Sequence, residues 1–466
     1  MSKSVALIGD LIIDKFKNYS SLKLSPEGPA PVVKKIGFYA TPGGAANVAL
    51  SLLNLGLNFS FYHPYSKKID KNIDNDMKNI LKDLDKHSRK IFTNIENINP
   101  IKTRYYVDNR QYMREDKEAN NLSELSIVNK SLIKDIVDNY DFLIVSDYQK
   151  GCLNSNSLKF LIETCNVLRK PLFIDTKIKD AKVIKNSFCL KINKAEFNLL
   201  FPNYELYDNS SIEDIKDKVK KAKNIYQIKN LVVTLGSQGC LAITESNTIY
   251  CEAFKVDVID ITGAGDAFLS ALFYSFLNKK TKNNMDYFNN SLDIEDLTFA
   301  NYAASIVVSK EGTVAIDSNY NLIYNAKFNK NKIIGFTNGC FDLLHMGHIH
   351  ILEQARKYCD FLIVGLNSDK SIKRIKGNQR PINNQDFRKK LLKTLKTVDK
   401  VIIFEEDTPE NLIKTIKPDV LIKGGDYKEE EIIGSNYVKK YGGKVIIVEF
   451  VHDTSSTKII DKIKSL

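Results

Sequence analysis

The feature that most constrains this chain is a repeated alternation of short apolar, β-branched runs with segments of helical period. The runs fall at 5–8, 142–145, 172–174 and 231–234, and again at 333–336, 361–364, 401–404, 420–422 and 445–448. Continuous apolar strands flanked by helices imply parallel sheets covered on both faces, so the fold class is α/β. The 466 residues leave room for two large domains or about three ordinary ones. A polar stretch without clear period at 319–332 reads as a linker between a domain over 1–318 and a second over 333–466.

Composition narrows the class of function. Apolar residues make up 43% and charged residues 27%, proportions from which folded cores are built. No apolar run approaches the roughly 18 residues that span a bilayer, so membrane insertion is not expected and a cytoplasmic protein is. The seven cysteines are odd in number and scattered, without a Cys-x-x-Cys pair, as reduced thiols would be. The net charge of +12 is spread as +5 over 333–466 and +7 over the rest. A nucleic-acid partner would require a concentrated basic stripe and is not expected.

Only nine of the 68 basic residues are Arg, and six of these lie in two windows: Arg104, Arg110 and Arg114, then Arg374, Arg380 and Arg388. A planar, two-pronged donor suits phosphate, although chance clustering in so small a sample would look the same.

Two glycine-rich segments carry chemistry in the first domain. Gly43 and Gly44, with Asn47 just beyond, lie directly ahead of a helical segment, where a polar ligand can approach backbone amides. Downstream, Gly263, Ala264 and Gly265 form a turn that opens onto a helix, with Asp266 at its mouth. Turn amides and the helix dipole can hold charge developing on a transferring phosphoryl group, and Asp266 can take the proton of an attacking hydroxyl. A simple N-cap would also place an Asp there. Segments 146–151 and 175–177 end strands at the edge where open α/β sheets bind ligands.

Gly-Gly-Ala-Ala-Asn and Thr-Gly-Ala-Gly-Asp at this separation resemble the ribokinase family of carbohydrate kinases. The resemblance implies a parallel-sheet domain with a small β lid and Asp266 as base, with Gly263, Ala264 and Gly265 as its anion hole. It assigns the sugar hydroxyls to Asp14, Gly43, Gly44 and Asn47. It assigns ATP to Asn193, Lys194, Ala195 and Glu196 and to Thr234, Gly236 and Gly239, with Mg2+ near Glu196 through water. Lys102 and Arg104, with Arg110 and Arg114, in a strand-like segment expected to form part of the lid, are candidates for gripping a distal phosphate of the sugar.

In the second domain the strand at 333–336 runs into Thr-Asn-Gly339-Cys340-Phe341-Asp-Leu-Leu-His345-Met-Gly-His348. His345 and His348 are one helical turn apart, so both imidazoles meet at a helix start where they can clasp a triphosphate. A zinc site is the rival reading, but no fourth ligand or carboxylate has matching spacing. The segment resembles the His-x-Gly-His motif of the cytidylyltransferase-like superfamily, which implies a Rossmann-like nucleotidyltransferase. Gly339, Cys340, Phe341, Arg374, Lys376, Ser455, Ser456 and Thr457 are then its nucleotide and phosphate contacts. The superfamily pattern often closes with an Arg where this chain has Ile460.

The two halves in this order resemble the bifunctional heptose-phosphate kinase/adenylyltransferases. That resemblance implies ATP-dependent phosphorylation of heptose 7-phosphate at O1 and adenylyl transfer from ATP to heptose 1-phosphate. The product, ADP-heptose, is a precursor of the lipopolysaccharide core. A separate phosphatase would act between the steps, and a homodimer would form through the kinase lid. A kinase/cytidylyltransferase for another sugar or polyol, or a sensor whose catalysis has lapsed, stay open at this point.

Overall fold

The computed structural model describes all residues except 1–2, 29–30, 67–81, 96–97, 109, 280–286, 311, 317–323, 325–331, 426–427, 450–458, 460–464 and 466. The chain divides into two compact units, Met1–Ser318 and Asn319–Leu466.

The centre of the first unit is a nine-stranded sheet. Its strand order is Thr248–Cys251, Cys240–Ile243, Asn230–Thr234, Cys189–Asn193, Leu172–Thr176, Phe142–Asp147, Val5–Gly9, Ser60–Ser66 and Ser88–Thr93. The seven strands from Asn230–Thr234 onward are parallel. The first two are antiparallel, so the sheet is mixed, which strand-helix alternation alone does not foresee. Residues of the inner strands alternate between two cores. Ala6, Ile8, Leu143, Val145, Leu190 and Ile192 pack with Ile133, Leu158, Phe197 and Val219 from the helices on one face. Phe142 and Phe173 instead meet Phe273, with ring centroids 6.2 and 5.3 Å away, on the helix Ala264–Asn278. Burial on both faces requires the uninterrupted apolar sequences seen there.

A second sheet of four strands is ordered Pro31–Gly44, Leu11–Leu24, Ile101–Val107 and Arg110–Lys117. Its two 14-residue strands escape the sequence reading because their polar residues follow no strict alternation. Leu11–Leu24 leaves the central strand Val5–Gly9 after a single residue, Asp10, and Pro31–Gly44 runs straight into the helix Ala45–Asn54. The small sheet is thereby tied to the edge of the large one. Asp14 is paired with Lys102, and Phe16 with Arg104, in its register.

The second unit holds a five-stranded, fully parallel sheet in the order Lys400–Phe404, Phe361–Asn367, Ile334–Gly339, Val420–Gly424 and Lys444–Val448. The chain builds outward from Ile334–Gly339 to one side and then returns to its other side. That reversal opens a crevice at the C-terminal end of Ile334–Gly339, where doubly wound sheets take ligands. His345 and the helix Met346–Arg356 follow that end directly.

Candidate active sites

Asp266 lies in the first turn of Ala264–Asn278, buried, and both of its carboxylate oxygens are held. The Tyr148 hydroxyl donates to Oδ1 at 2.8 Å, and the Asn47 amide donates to Oδ2 at 3.2 Å. Burial pushes the carboxyl up to about 6, against the lowering effect of these donors. Such a group is ionised at neutral pH yet basic enough to accept a proton.

The glycines ahead of it are required by close approach. A Cβ on Gly263, at φ +81°, would lie 2.9 Å from the Asn47 amide nitrogen, and one on Gly265 would lie 2.9 Å from Lys191 Nζ. The Ala264 amide donates to the Ile261 carbonyl at 3.3 Å. Of the expected anion hole, the Ala264 amide is therefore engaged in the turn, whereas the first-turn amides of Gly265 and Asp266 have no intrahelical acceptor.

On the sugar side, Asp14 accepts from Arg104 Nη1 at 2.6 Å and from the Thr313 hydroxyl at 3.3 Å. A Cβ on Gly43 would fall 2.2 Å from Asp14 Oδ2, and Gly44, at φ +56°, opens the helix that carries Asn47. Lys102 Nζ stands 5.6 Å from the centre of the Tyr148 ring, its pKa lowered by burial. The structure thus brings Asp14, Gly43, Gly44, Asn47, Lys102, Arg104 and Asp266 together. Arg114 pairs instead with Asp116 of its own exposed strand.

The expected ATP residues divide. Asn193 and Glu196 form a reciprocal cap on the helix Lys194–Leu200: Asn193 Oδ1 accepts the Glu196 amide at 2.9 Å, and Glu196 Oε2 accepts the Asn193 amide at 2.8 Å. Glu196 also binds Lys177. Lys194, next to Ala195, is turned to the fully exposed Asp208 at 2.6 Å. Thr234 ends its strand in register with Asn193, and Gly236 follows in a short turn. Gly239 has a packing reason to be glycine, since a Cβ there would meet the Cys251 carbonyl oxygen at 2.0 Å.

Sequence reasoning missed Tyr148, Thr313, Asp175 and Lys191 as individual site residues. Lys191 is buried and donates to Asp175 at 2.6 Å. Burial works to raise the Asp175 carboxyl, but Lys191 and Lys177 more than offset it and hold it below the usual range. A signal was present: Lys191 is a lone cation between the apolar Leu190 and Ile192 of the strand Cys189–Asn193.

In the second unit His345 is the N-cap of Met346–Arg356, and its ring stacks on His348 with centroids 3.9 Å apart. Phe341, at φ +45°, lies 5.0 Å from the His348 ring, and a Cβ on Gly339 would press 3.1 Å from the Phe341 ring. Burial, together with the charges of His345 and Lys376, takes His348 down to about 4, and burial lowers His345 as well. Both imidazoles are thus neutral near pH 7, and the Nδ1 atoms of both are buried without a hydrogen-bond partner among the described residues. Among those residues no cluster of three His, Cys, Asp or Glu could hold a metal ion.

The arginine cluster is not uniformly free for phosphate. Arg388 is completely buried and donates to the carbonyls of Cys340, Asn367 and Asn383 and to Asp369, so it ties the loop after Ile334–Gly339 to its neighbours. Arg380 donates to the buried Asp342 at 2.7 Å. Arg374 is turned to Asp407 at 2.7 Å and to the Glu405 carbonyl. Lys376 is the cation that the fold brings into electrostatic reach of His348. Lys423, unforeseen, donates to Asn338 at 3.0 Å at the edge of the crevice. Ser455, Ser456, Thr457 and Ile460 lie outside the described residues.

Comparison with known proteins agrees with this division. Residues 2–319 match the family model for pfkB family carbohydrate kinases, and residues 336–462 match the cytidylyltransferase-like model. The chain is 34% identical over 482 residues to the bifunctional protein HldE of Campylobacter fetus, covering 99% of both chains. It is 36% identical to that of Campylobacter concisus, over 99% of this chain and 97% of the relative. Among solved structures, the ribokinase of Arabidopsis thaliana complexed with ribose and ATP aligns with a TM-score of 0.53 at 17% identity, over 69% of this chain and 98% of that one. Phosphofructokinase-2 of Escherichia coli aligns at 0.52 and 19%, over 70% and 99%. These two show the fold of the first unit.

Proposed function

The chain belongs to the pfkB family of carbohydrate kinases and, over its whole length, to the bifunctional HldE proteins, and from this premise we propose how its two units divide the synthesis of ADP-heptose. The first unit phosphorylates heptose 7-phosphate at O1 with ATP. The second transfers the adenylyl group of ATP to heptose 1-phosphate and releases pyrophosphate. The observation that carries this reading is that one chain holds two separate helix starts, one loaded with a buried carboxylate and one with a stacked imidazole pair.

In the kinase step Asp266 receives the proton of the O1 hydroxyl as O1 bonds to the γ-phosphorus and the bond to the leaving ADP breaks. The amides of Gly265 and Asp266 face the charge that grows on the transferring group. Asp14, Gly43, Gly44 and Asn47 hold the sugar hydroxyls, and Lys102 and Arg104 the distal phosphate. The nucleotide lies toward Glu196, Thr234 and Gly236. We propose Mg2+ as its companion. Both oxygens of Glu196 already accept, from Lys177 and from the Asn193 amide, so a contact through metal-bound water fits this donor and an ion that keeps its waters. When bound, the ion would offset phosphate charge.

In the adenylyl step the acceptor oxygen is already anionic, so no base is needed. His345, His348 and Lys376 align the triphosphate and stabilise the pentavalent charge while the bond to pyrophosphate breaks. We assign the remaining contacts to Gly339, Cys340 and Phe341 and, on the sequence resemblance alone, to Ser455, Ser456 and Thr457.

A separate phosphatase must remove the 7-phosphate between the two steps. We place the enzyme in the cytoplasm, where its ATP is made; the seven cysteines are free thiols, and among the described residues no helix is long and apolar enough to cross a membrane. We also propose a homodimer through the small sheet, where Leu24, Ile36, Phe38 and Met113 are exposed apolar side chains. Incubating the protein with ATP or CTP and each heptose phosphate, and weighing the products, tests the central reading. Bisphosphate and ADP-heptose are expected. Turnover of no heptose phosphate would overturn it.

A further inference from the structure

We propose that Tyr148 is a positioning residue of the kinase step, whose hydroxyl holds Oδ1 of the base and leaves its remaining lone pair aimed at the sugar hydroxyl. The proposal rests on the reading of Asp266 as that base.

The geometry is specific. Tyr148 is one residue beyond the strand Phe142–Asp147, and its hydroxyl donates to Asp266 at 2.8 Å. Its backbone is fixed from below by a single carboxylate: Asp10 Oδ2 accepts the amides of Tyr148 at 2.8 Å and Lys150 at 3.1 Å, while Oδ1 accepts that of Cys152 at 3.0 Å. Its ring is flanked by two ammonium groups, Lys102 at 5.6 Å from the small sheet and Lys177 at 5.3 Å from the large one. Cations over an aromatic face pin the ring. The phenol therefore stands where the sugar side and the phosphate side of the site meet.

The chemistry follows from what each state of the base accepts. Ionised Asp266 can take the phenol proton donor on one oxygen and the Asn47 amide on the other. A phenol donor favours the charged carboxylate and so opposes the effect of burial. Burial and the charges of Asp266, Asp175 and Asp14 raise the Tyr148 hydroxyl well above its ordinary range, so it remains a donor throughout the working pH. The other charges facing this pair are Lys191 and Asp175 from the large sheet, Lys177 beside it and Lys102 from the small sheet. Asp10, pushed up to about 7 by burial and by Asp147, titrates below the loop. All of these are present in wild type and in a variant that lacks the hydroxyl alone, so a difference between the two profiles belongs to that hydroxyl.

The test is the pH–rate profile of the kinase reaction in the full chain with Tyr148→Phe, with adenylyl transfer by the same preparation as internal control. The acid limb of kcat is expected to move up by about one pH unit, giving roughly fivefold loss near pH 6, approaching tenfold below about pH 5, and little near pH 9, while adenylyl transfer is unchanged. Replacing Tyr148 by 3-fluorotyrosine, a stronger donor of nearly the same shape, is expected to move the limb down. That arm decides the matter should Phe at 148 disturb folding. A pH-independent loss, or limbs that move in the same direction in both variants, would overturn the proposal. Absence of kinase turnover in wild type would instead overturn the assignment of Asp266.

Discussion

At the start of Ala264–Asn278 the titratable group is a carboxylate raised to about 6, while at the start of Met346–Arg356 it is an imidazole lowered to about 4. Asp266 is buried and His348 half-buried, and loss of solvent drives each toward its neutral form. The outcomes differ because the acceptors differ. A sugar hydroxyl must lose a proton as it attacks, so the first site needs a base poised just below neutral pH. A sugar phosphate attacks as an anion, so the second site needs donors that stay put. Asp342, three residues before His345, is turned to Arg380 and to the amides of Ile382 and Asn383. On the proposed function, helix starts of one kind serve two displacements through the titratable group each presents.

The comparison breaks most sharply under mutation of those groups. Asp266→Asn is expected to lower kinase kcat about 10³-fold, since a general base of this type contributes 10² to 10⁴. Adenylyl transfer, measured by product mass on the same sample, should hold its wild-type rate. His348→Ala is expected to do the converse, with adenylyl transfer falling about 10²-fold, the scale of one lost transition-state donor, and kinase turnover intact. Loss of both reactions by either change in folded protein would mean that the units are not independent.

A smaller effect comes from pH. As pH falls through about 6, Asp266 becomes protonated, and with this carboxylate as the proposed base the kinase rate is expected to fall about tenfold for each further unit. His348 stays neutral down to about 4 and burial lowers His345 as well, so adenylyl transfer should fall less than the kinase step between pH 7 and 5. Parallel rate profiles of the two reactions, taken with each at saturating substrate, check this. Profiles that fall together would show that the base and the imidazoles are not set apart as described.

How much of this was legible in the chain depends on how far apart the cooperating residues lie. The two mouths were visible because their groups are contiguous: Gly263 to Asp266 in one, Gly339 to His348 in the other. What holds those groups is assembled across the fold. Tyr148 reaches Asp266 over 118 residues of sequence, and Thr313 reaches Asp14 over 299. No local pattern encodes such contacts. The arginine cluster misled for a different reason, because a guanidinium fork suits backbone carbonyls as well as phosphate, and Arg388 is used for the former. The small sheet was half legible: the segment carrying Lys102 and Arg104 was foreseen as strand, but its long partners, buried at one end and exposed at the other, carry no continuous apolar signal.

The smallest expected effect sharpens the boundary of the kinase site. Lys194 follows Asn193, whose side chain caps the helix Lys194–Leu200, and a motif reading places it among the ATP contacts. Its ammonium is instead at Asp208, a carboxylate wholly in solvent, whereas Lys177 and Lys191 point inward to Glu196 and Asp175. An exposed pair is screened and contributes little, so Lys194→Ala is expected to raise the KM for ATP less than about threefold. Lys177→Ala, which takes the ammonium away from the half-buried Glu196, should raise it several times more. Initial-rate kinetics on the two variants decide between them: a larger rise for Lys194→Ala would mean that this lysine leaves Asp208 and swings onto the nucleotide.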